Sequence, residues 1–347
     1  MFDLAYNPLL SLILSFLVSY FTVPKIILLA DKYRLSVTEG KRSSHTGATP
    51  IFGGVGIFLG VLASLFFFGN IAGTNFVIFS LTIVFFIGLI DDLLGLSPYK
   101  KLLGQIIATL VIIYFKELSI DSFHGVLGVR DLSQLASVSF TIFVFIVIIN
   151  GVNLIDGIDG LAGGFGIISA CFFGITAYIM GQMDMAILAF SLVGALFGFI
   201  RYNIHPAKIF MGDTGSLLIG MILSILAISL VDHGITIESK NFPNKGPLLA
   251  IVFLALPLFD SLRVFIVRVT NRKNPLHAGK GHIHHALLRL GLGHHKTSIL
   301  LYLVSIILII LSFFMVPLDV NVSILTLSVI SFSLLYIPFY LIKRKKK

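Results

Sequence analysis

Phe140-Thr-Ile-Phe-Val-Phe-Ile-Val-Ile-Ile149 runs directly into Asn150-Gly-Val-Asn-Leu-Ile-Asp-Gly-Ile-Asp-Gly-Leu161. The first stretch is apolar without the alternation of a barrel strand, so it reads as the end of a membrane-crossing helix. The second sets Asn150, Asn153, Asp156 and Asp159 three residues apart, with Gly151, Gly157 and Gly160 among them. On a helix each step of three falls about 60° short of a full turn, so neighbours in the series share a face while its ends diverge. The glycines let the backbone tighten or break there and turn all four side chains inward. An Asp at a helix centre costs at least about 2.5 kcal/mol in lipid. Two Asp and two Asn in register therefore point to a site rather than to helix caps reaching water.

The whole chain shares this apolar character. Hydrophobic residues make up 57% of the 347 and charged residues 12%, and mean hydropathy is +1.02, which excludes an ordinary soluble domain. The fold class is all-α: a polytopic integral membrane protein, one catalytic domain over 1–347. About eleven transmembrane helices are expected, near 8–30, 51–68, 74–92, 102–117, 136–152, 162–180, 183–201, 214–231, 247–267, 298–316 and 320–342. With the N-terminus outside, every Lys and Arg except Lys116, Arg130, Lys240 and Lys245 falls inside, and so does the C-terminus. The net charge of +9 thus reflects topology. The basic tail 343–347 reads as an anchor against anionic lipid, not as a nucleic-acid arm. Cys171 is the single cysteine, so no internal disulfide forms and the residue reads as packing. Asp3 precedes the first span with no positive n-region, so that span is expected to be retained.

The polar groups collect on the inner side. Segment 31–50 carries Lys32, Arg34, Lys41, Arg42 and His45, which suit an anion site and topological charge equally well. Asp91 and Asp92 close the third span; adjacent carboxylates repel and point about 100° apart on a helix, so two distinct roles are expected. Lys100 and Lys101 follow, one to offset the carboxylates and one to meet a phosphate, unless both merely anchor the helix. Asp213, in Phe210-Met-Gly-Asp-Thr-Gly-Ser216, stands where the eighth helix starts. An N-cap explains it alone, but the other acids on the same face favour a site. Asp260 and Arg263 read as an i,i+3 ion pair. Loop 268–297 holds six of the ten histidines, including His282-Ile-His-His285. Grouped histidines suggest zinc, yet the acids are hard oxygen donors that suit magnesium, which favours phosphate contact for the histidines, with a structural role as the alternative. No Walker A loop and no dinucleotide glycine motif occurs. A transporter would spread its acids through the membrane or across repeated halves, and neither pattern is present. The inner face is suited to a magnesium-bound diphosphate, and so to exchange between phosphates.

Asp91-Asp92, the Asn150 to Leu161 run, Phe210 to Ser216 and His282 to His285 stand in the order found in the polyprenyl-phosphate N-acetylhexosamine-1-phosphate transferases, which the chain resembles from about residue 31 to 297. The His-Ile-His-His form is similar to the undecaprenyl-phosphate N-acetylglucosaminyl-1-phosphate transferase branch. The resemblance implies transfer of GlcNAc-1-phosphate from UDP-GlcNAc to undecaprenyl phosphate at the cytoplasmic leaflet of a bacterial inner membrane, with release of UMP. It begins O-antigen, common-antigen or teichoic acid synthesis. UDP-GalNAc and UDP-MurNAc-pentapeptide are the alternative donors. The resemblance further implies magnesium, with manganese as an alternative, held by Asp213 and Asn153. Asp159 would face the uracil, with Asp156 nearby. Asp91 and Asp92 would organise the lipid phosphate and the metal site. Lys101 would bind phosphate, and His282, His284 and His285 would meet the diphosphate or sugar. Asn150 is left as a structural member. Membrane lipid is an expected partner, and a homodimer is compatible with the sequence. One stretch departs from the family pattern: Asn274-Pro-Leu-His-Ala-Gly-Lys280 has Leu276 in place of an aromatic and Gly279 in place of an acid.

Overall fold

The computed structural model describes residues 6–33, 49–233, 235–237, 240–242, 245–272 and 281–345. Each expected apolar run is helical. In chain order the helices are α1 (Asn7–Lys32), α2 (Gly53–Phe68), α3 (Ile71–Leu94), α4 (Pro98–Phe115), α5 (Gln134–Ile155), α6 (Leu161–Ile179), α7 (Met183–Asn203), α8 (Gly212–His233), α9 (Gly246–Phe253), α10 (Ala255–Thr270), α11 (Ile283–Arg289), α12 (His294–Met315) and α13 (Val320–Lys345). Two short antiparallel strands, β1 (Ile235–Ile237) and β2 (Lys240–Phe242), add a hairpin to the expected all-helical fold. Among the described residues nine helices are long and apolar enough to cross a membrane, and the chain is a multi-pass membrane protein. α9 and α10 make a tenth if counted as one broken span, and α2 is apolar but shorter.

The expected span 247–267 is in fact broken, with a bend of 76° between α9 and α10. Pro257 supplies the cause: it has no N–H for the carbonyl of Phe253, and its ring crowds that carbonyl. The helix therefore stops at Phe253 and restarts beyond Leu254. The inner loop expected over 268–297 is also shorter, because α11 lies within it and α12 begins at His294. Arg34, Lys41, Arg42 and His45, the stretch 273–280 with Lys273, Leu276, His277, Gly279 and Lys280, and tail residues 346–347 lie outside the described residues.

α8 is apolar on every side and its membrane window is wholly enclosed, with α2, α3, α5, α6, α7 and α9 around it. α1 lies at the periphery and buries a narrow stripe centred on Ser11, Ser15, Ser19 and Val23, spaced by four, with Pro8 and Ala30 toward its ends. Lipid offers no hydrophobic drive for helix association, so close backbone approach and hydrogen bonds hold this contact. Ser11 Oγ donates to the carbonyl of Ile187 at 3.0 Å, and Ser64 Oγ to Ser11 Oγ at 2.8 Å. Phe66, Phe67, Phe314 and Leu325 face outward, as lipid contact requires. The ends of α3, α5 and α7 and the starts of α4, α6 and α8, joined by short turns, carry the acids to one end of the bundle.

Candidate active site

Asp213 is the hub. α8 opens at Gly212 with φ of +72°, and a Cβ there would lie 2.5 Å from Asp92 Oδ2, so only glycine fits. Asp92, from the last turns of α3, caps α8 from outside. Its Oδ1 accepts the Asp213 N–H at 2.8 Å, and its Oδ2 accepts the Thr214 N–H at 2.9 Å and Thr214 Oγ1 at 2.6 Å. A carboxylate at a helix N-terminus is the expected charge complement, but Asp92 supplies it, and not Asp213. The Asp213 side chain turns elsewhere. Its Oδ2 contacts the Lys101 ammonium, and its Oδ1 accepts from Asn153 Nδ2 at 2.8 Å.

Asp91 takes the other direction from its neighbour. Its Oδ1 accepts the Leu96 N–H at 2.6 Å, and its Oδ2 lies 3.4 Å from Lys101 Nζ. The adjacent acids thus serve different partners, while Lys100 is exposed and Lys101 alone enters the site. Asp91 Oδ2 and Asp213 Oδ2 share a positive charge, with the ammonium standing where a cation can be held. Hard oxygens of this kind fit magnesium or manganese. Asn153 presents its amide nitrogen, which also donates to Ser216 Oγ at 2.8 Å; a ligand role requires that amide to turn over.

The histidine run is anchored from α10. Asp260 is fully buried; its Oδ2 is 2.8 Å from His282 Nδ1 and its Oδ1 accepts the Ile283 N–H at 3.0 Å. Arg263 Nη2 lies 3.4 Å from Asp260 Oδ1 and donates to the Gly281 carbonyl, and its guanidinium sits 3.7 Å over the Phe339 ring. The expected intrahelical ion pair exists, but the stronger tie of Asp260 is to His282, whose ring it orients. The sequence signal was an acid and an arginine deep in an apolar helix, where a surface pair has no place. His284 is buried, and neither ring nitrogen has a hydrogen-bond partner among the described residues. Burial above all, then the neighbouring His285, pushes its pKa down to about 3. Its ring is therefore neutral at ordinary pH. It packs on Gly157, where a Cβ would lie 2.2 Å from Nε2, and its ring centroid is 4.2 Å from that of His285.

Asp159 is buried and engaged. Its Oδ2 lies 2.7 Å from His205 Nδ1, 3.4 Å from the Ala207 N–H and 3.7 Å from His294 Nδ1. This node ties the α5–α6 turn to the α7–α8 loop and to the start of α12, and the sequence reading did not single out His205. Asp156 is half-buried at the C-terminal cap of α5. Asn150 faces away from the acids, donating to Gln105 Oε1 at 2.9 Å and to the Ile146 carbonyl at 2.8 Å, which fits a structural member. The four motifs thus meet in sequence: Asp92 on the start of α8, Asn153 on Asp213, and Gly157 on His284.

A family profile described as Glycosyl transferase family 4 matches residues 74–231, which include Asp91, Asp92, the Asn150–Leu161 stretch and Asp213. The chain is 30% identical over 308 residues to a probable undecaprenyl-phosphate N-acetylglucosaminyl 1-phosphate transferase of Bacillus subtilis (strain 168), covering 86% of this chain and 83% of that one. It is 32% identical over 305 residues to an undecaprenyl-phosphate alpha-N-acetylglucosaminyl 1-phosphate transferase of Haemophilus influenzae, covering 86% and 84%. A phospho-N-acetylmuramoyl-pentapeptide-transferase of Alkaliphilus oremlandii is 35% identical over 331 residues, covering 86% and 94%. Likeness of this extent, together with the convergence of its acids on Asp213, makes the chain a member of glycosyl transferase family 4.

Proposed function

We propose that the protein transfers N-acetylhexosamine 1-phosphate, with GlcNAc as the sugar, from its UDP conjugate to undecaprenyl phosphate and releases UMP. The observation that carries this reading is the meeting of Asp91, Lys101, Asn153 and Asp213 around one cation-holding point. The names of the relatives support a polyprenyl phosphate and a sugar phosphate as reactants. One oxygen of the lipid phosphate attacks the β-phosphorus of the UDP-sugar. The bond from that phosphorus to the bridging oxygen breaks, and its electron pair leaves on UMP. One anhydride replaces another, so no further energy source is needed.

Asp213 and Asp91, with Asn153 once its amide turns, would hold magnesium, which neutralises charge developing on the phosphates. Asp92 keeps Asp213 in place through the backbone it caps. The lipid phosphate has a second pKa of about 6 and is mostly dianionic at neutral pH, so Asp91 acts by positioning rather than as a general base. Recovery of full activity by Asp91→Asn at high pH would overturn that role. His282, oriented by Asp260, faces the diphosphate together with the neutral His284 and with His285, and Asp156 and Asp159 flank the nucleotide. The site lies on the cytoplasmic face, with the N-terminus outside and the C-terminus inside, and its product starts a cell-surface glycan.

Purified protein given undecaprenyl phosphate, magnesium and UDP-GlcNAc is expected to release UMP, and Asp213→Asn is expected to abolish that release. UDP-GalNAc and UDP-MurNAc-pentapeptide form parallel arms, the latter because a relative is named for that sugar. UMP release from none of the three would sink the transferase reading.

A further inference from the structure

Asp91 Oδ2 and Asp213 Oδ2 face one point, and the Lys101 ammonium holds it, 3.4 Å from the first and in contact with the second. The three side chains are between 15% and 28% exposed, so water only partly screens the repulsion between the acids. These same oxygens are the best placed to receive a divalent cation. A cation bound about 2.1 Å from Asp213 Oδ2 and an ammonium touching that oxygen would bring two positive charges within a few ångström, a strongly repulsive arrangement. The site does not hold both at full strength.

Lys101 is built to leave. It stands in the first turn of α4, after Pro98, on a flexible four-carbon stem with three donors, and the neighbouring Tyr99 and Lys100 are exposed. We propose that Lys101 is an internal counter-ion of the Asp91–Asp213 pair that a divalent cation displaces, freeing the ammonium to bind a phosphate. The inference rests on the transferase reading above. It gives the site an order: the acids are neutralised from within until the cation arrives, and affinity for phosphate becomes conditional on its arrival. A permanent ion pair that only stabilises the fold would give neither effect.

Binding of Mn2+ to the purified full-length protein without substrate, followed by paramagnetic resonance of the free ion, tests this. Lys101→Met is expected to bind Mn2+ about tenfold tighter than the unsubstituted protein, the scale of a partly buried ion pair. Lys100→Met removes an equal charge from the exposed neighbour and is expected to change affinity by less than about twofold. Lys101→Gln serves if Lys101→Met is not recovered folded. In the unsubstituted protein, reductive methylation of Lys101, read by mass spectrometry, is expected to rise when Mg2+ is added. Equal Mn2+ affinity in the Lys101 and Lys100 variants, or methylation that does not rise, overturns the counter-ion role and leaves the cation reading standing. Absence of Mn2+ binding in every form overturns the cation reading and this inference with it.

Discussion

Asp92 and Asp91 are neighbours in the chain with different physical tasks. Asp92→Ala removes three hydrogen bonds at the start of α8 and is expected to cost about 1–2 kcal/mol of stability, the usual value of a lost cap. Thermal unfolding in detergent should show a larger fall for it than for Asp91→Ala. Asp260→Ala leaves the Arg263 guanidinium buried without its carboxylate and is expected to cost about 3–5 kcal/mol. Asp260→Asn keeps an acceptor for the Ile283 N–H, so it should melt nearer the unsubstituted protein while losing turnover. His284 gives a pH signature. The unfolded chain takes up a proton near the ordinary pKa of 6.5, and the folded one only near 3, so stability falls as the pH drops from 6.5 toward 3. His284→Asn is expected to flatten that slope in melts recorded across this range. The sequence made Asp91, Asp92 and Asp213 visible because carboxylates stand out against apolar helices. It could not say which acid caps which helix, since the bond from Asp92 to Thr214 spans 122 residues.

At the scale of elements, the break between α9 and α10 and the short α11 do one thing together: they bring Asp260 and the histidine run to Gly157. Gly157→Ala would place a methyl 2.2 Å from His284 Nε2, against a packed ring rather than a flexible chain end. Displacement of α11 follows, and UMP release is expected to fall at least tenfold in the reaction proposed above, with little change in melting temperature. Equal activity would mean that α11 does not need this contact. The helices themselves were legible because each apolar run approaches or exceeds the length that crosses the lipid core, α2 being short of it. Less legible were the changes inside a run. Pro257 marked the break, but a proline can also kink a helix without ending it. The hairpin β1–β2 lies in a polar stretch too short to carry a periodic signal.

For the whole molecule, the expected orientation rests on charge placement alone. Single cysteines introduced at Lys116 and at Lys343, in a background with Cys171→Ala, should separate the two faces. A membrane-impermeant maleimide is expected to reach residue 116 in intact cells and residue 343 only after permeabilisation, and the reverse pattern would invert the topology. The clustering of polar groups at one end was legible from that same bookkeeping of sides, whereas the packing that encloses α8 was not, because hydropathy looks alike for a lipid-facing helix and an enclosed one. That enclosure has a consequence for biosynthesis. Of the helices around α8, only α9 is made after it, so the partners that replace lipid on its surface are already in the bilayer when it emerges. Asp91, Asp92, Asp213 and Lys101 can therefore come together early in synthesis, whereas Asp260, the histidine run and His294, made later, are the last parts of the site to arrive.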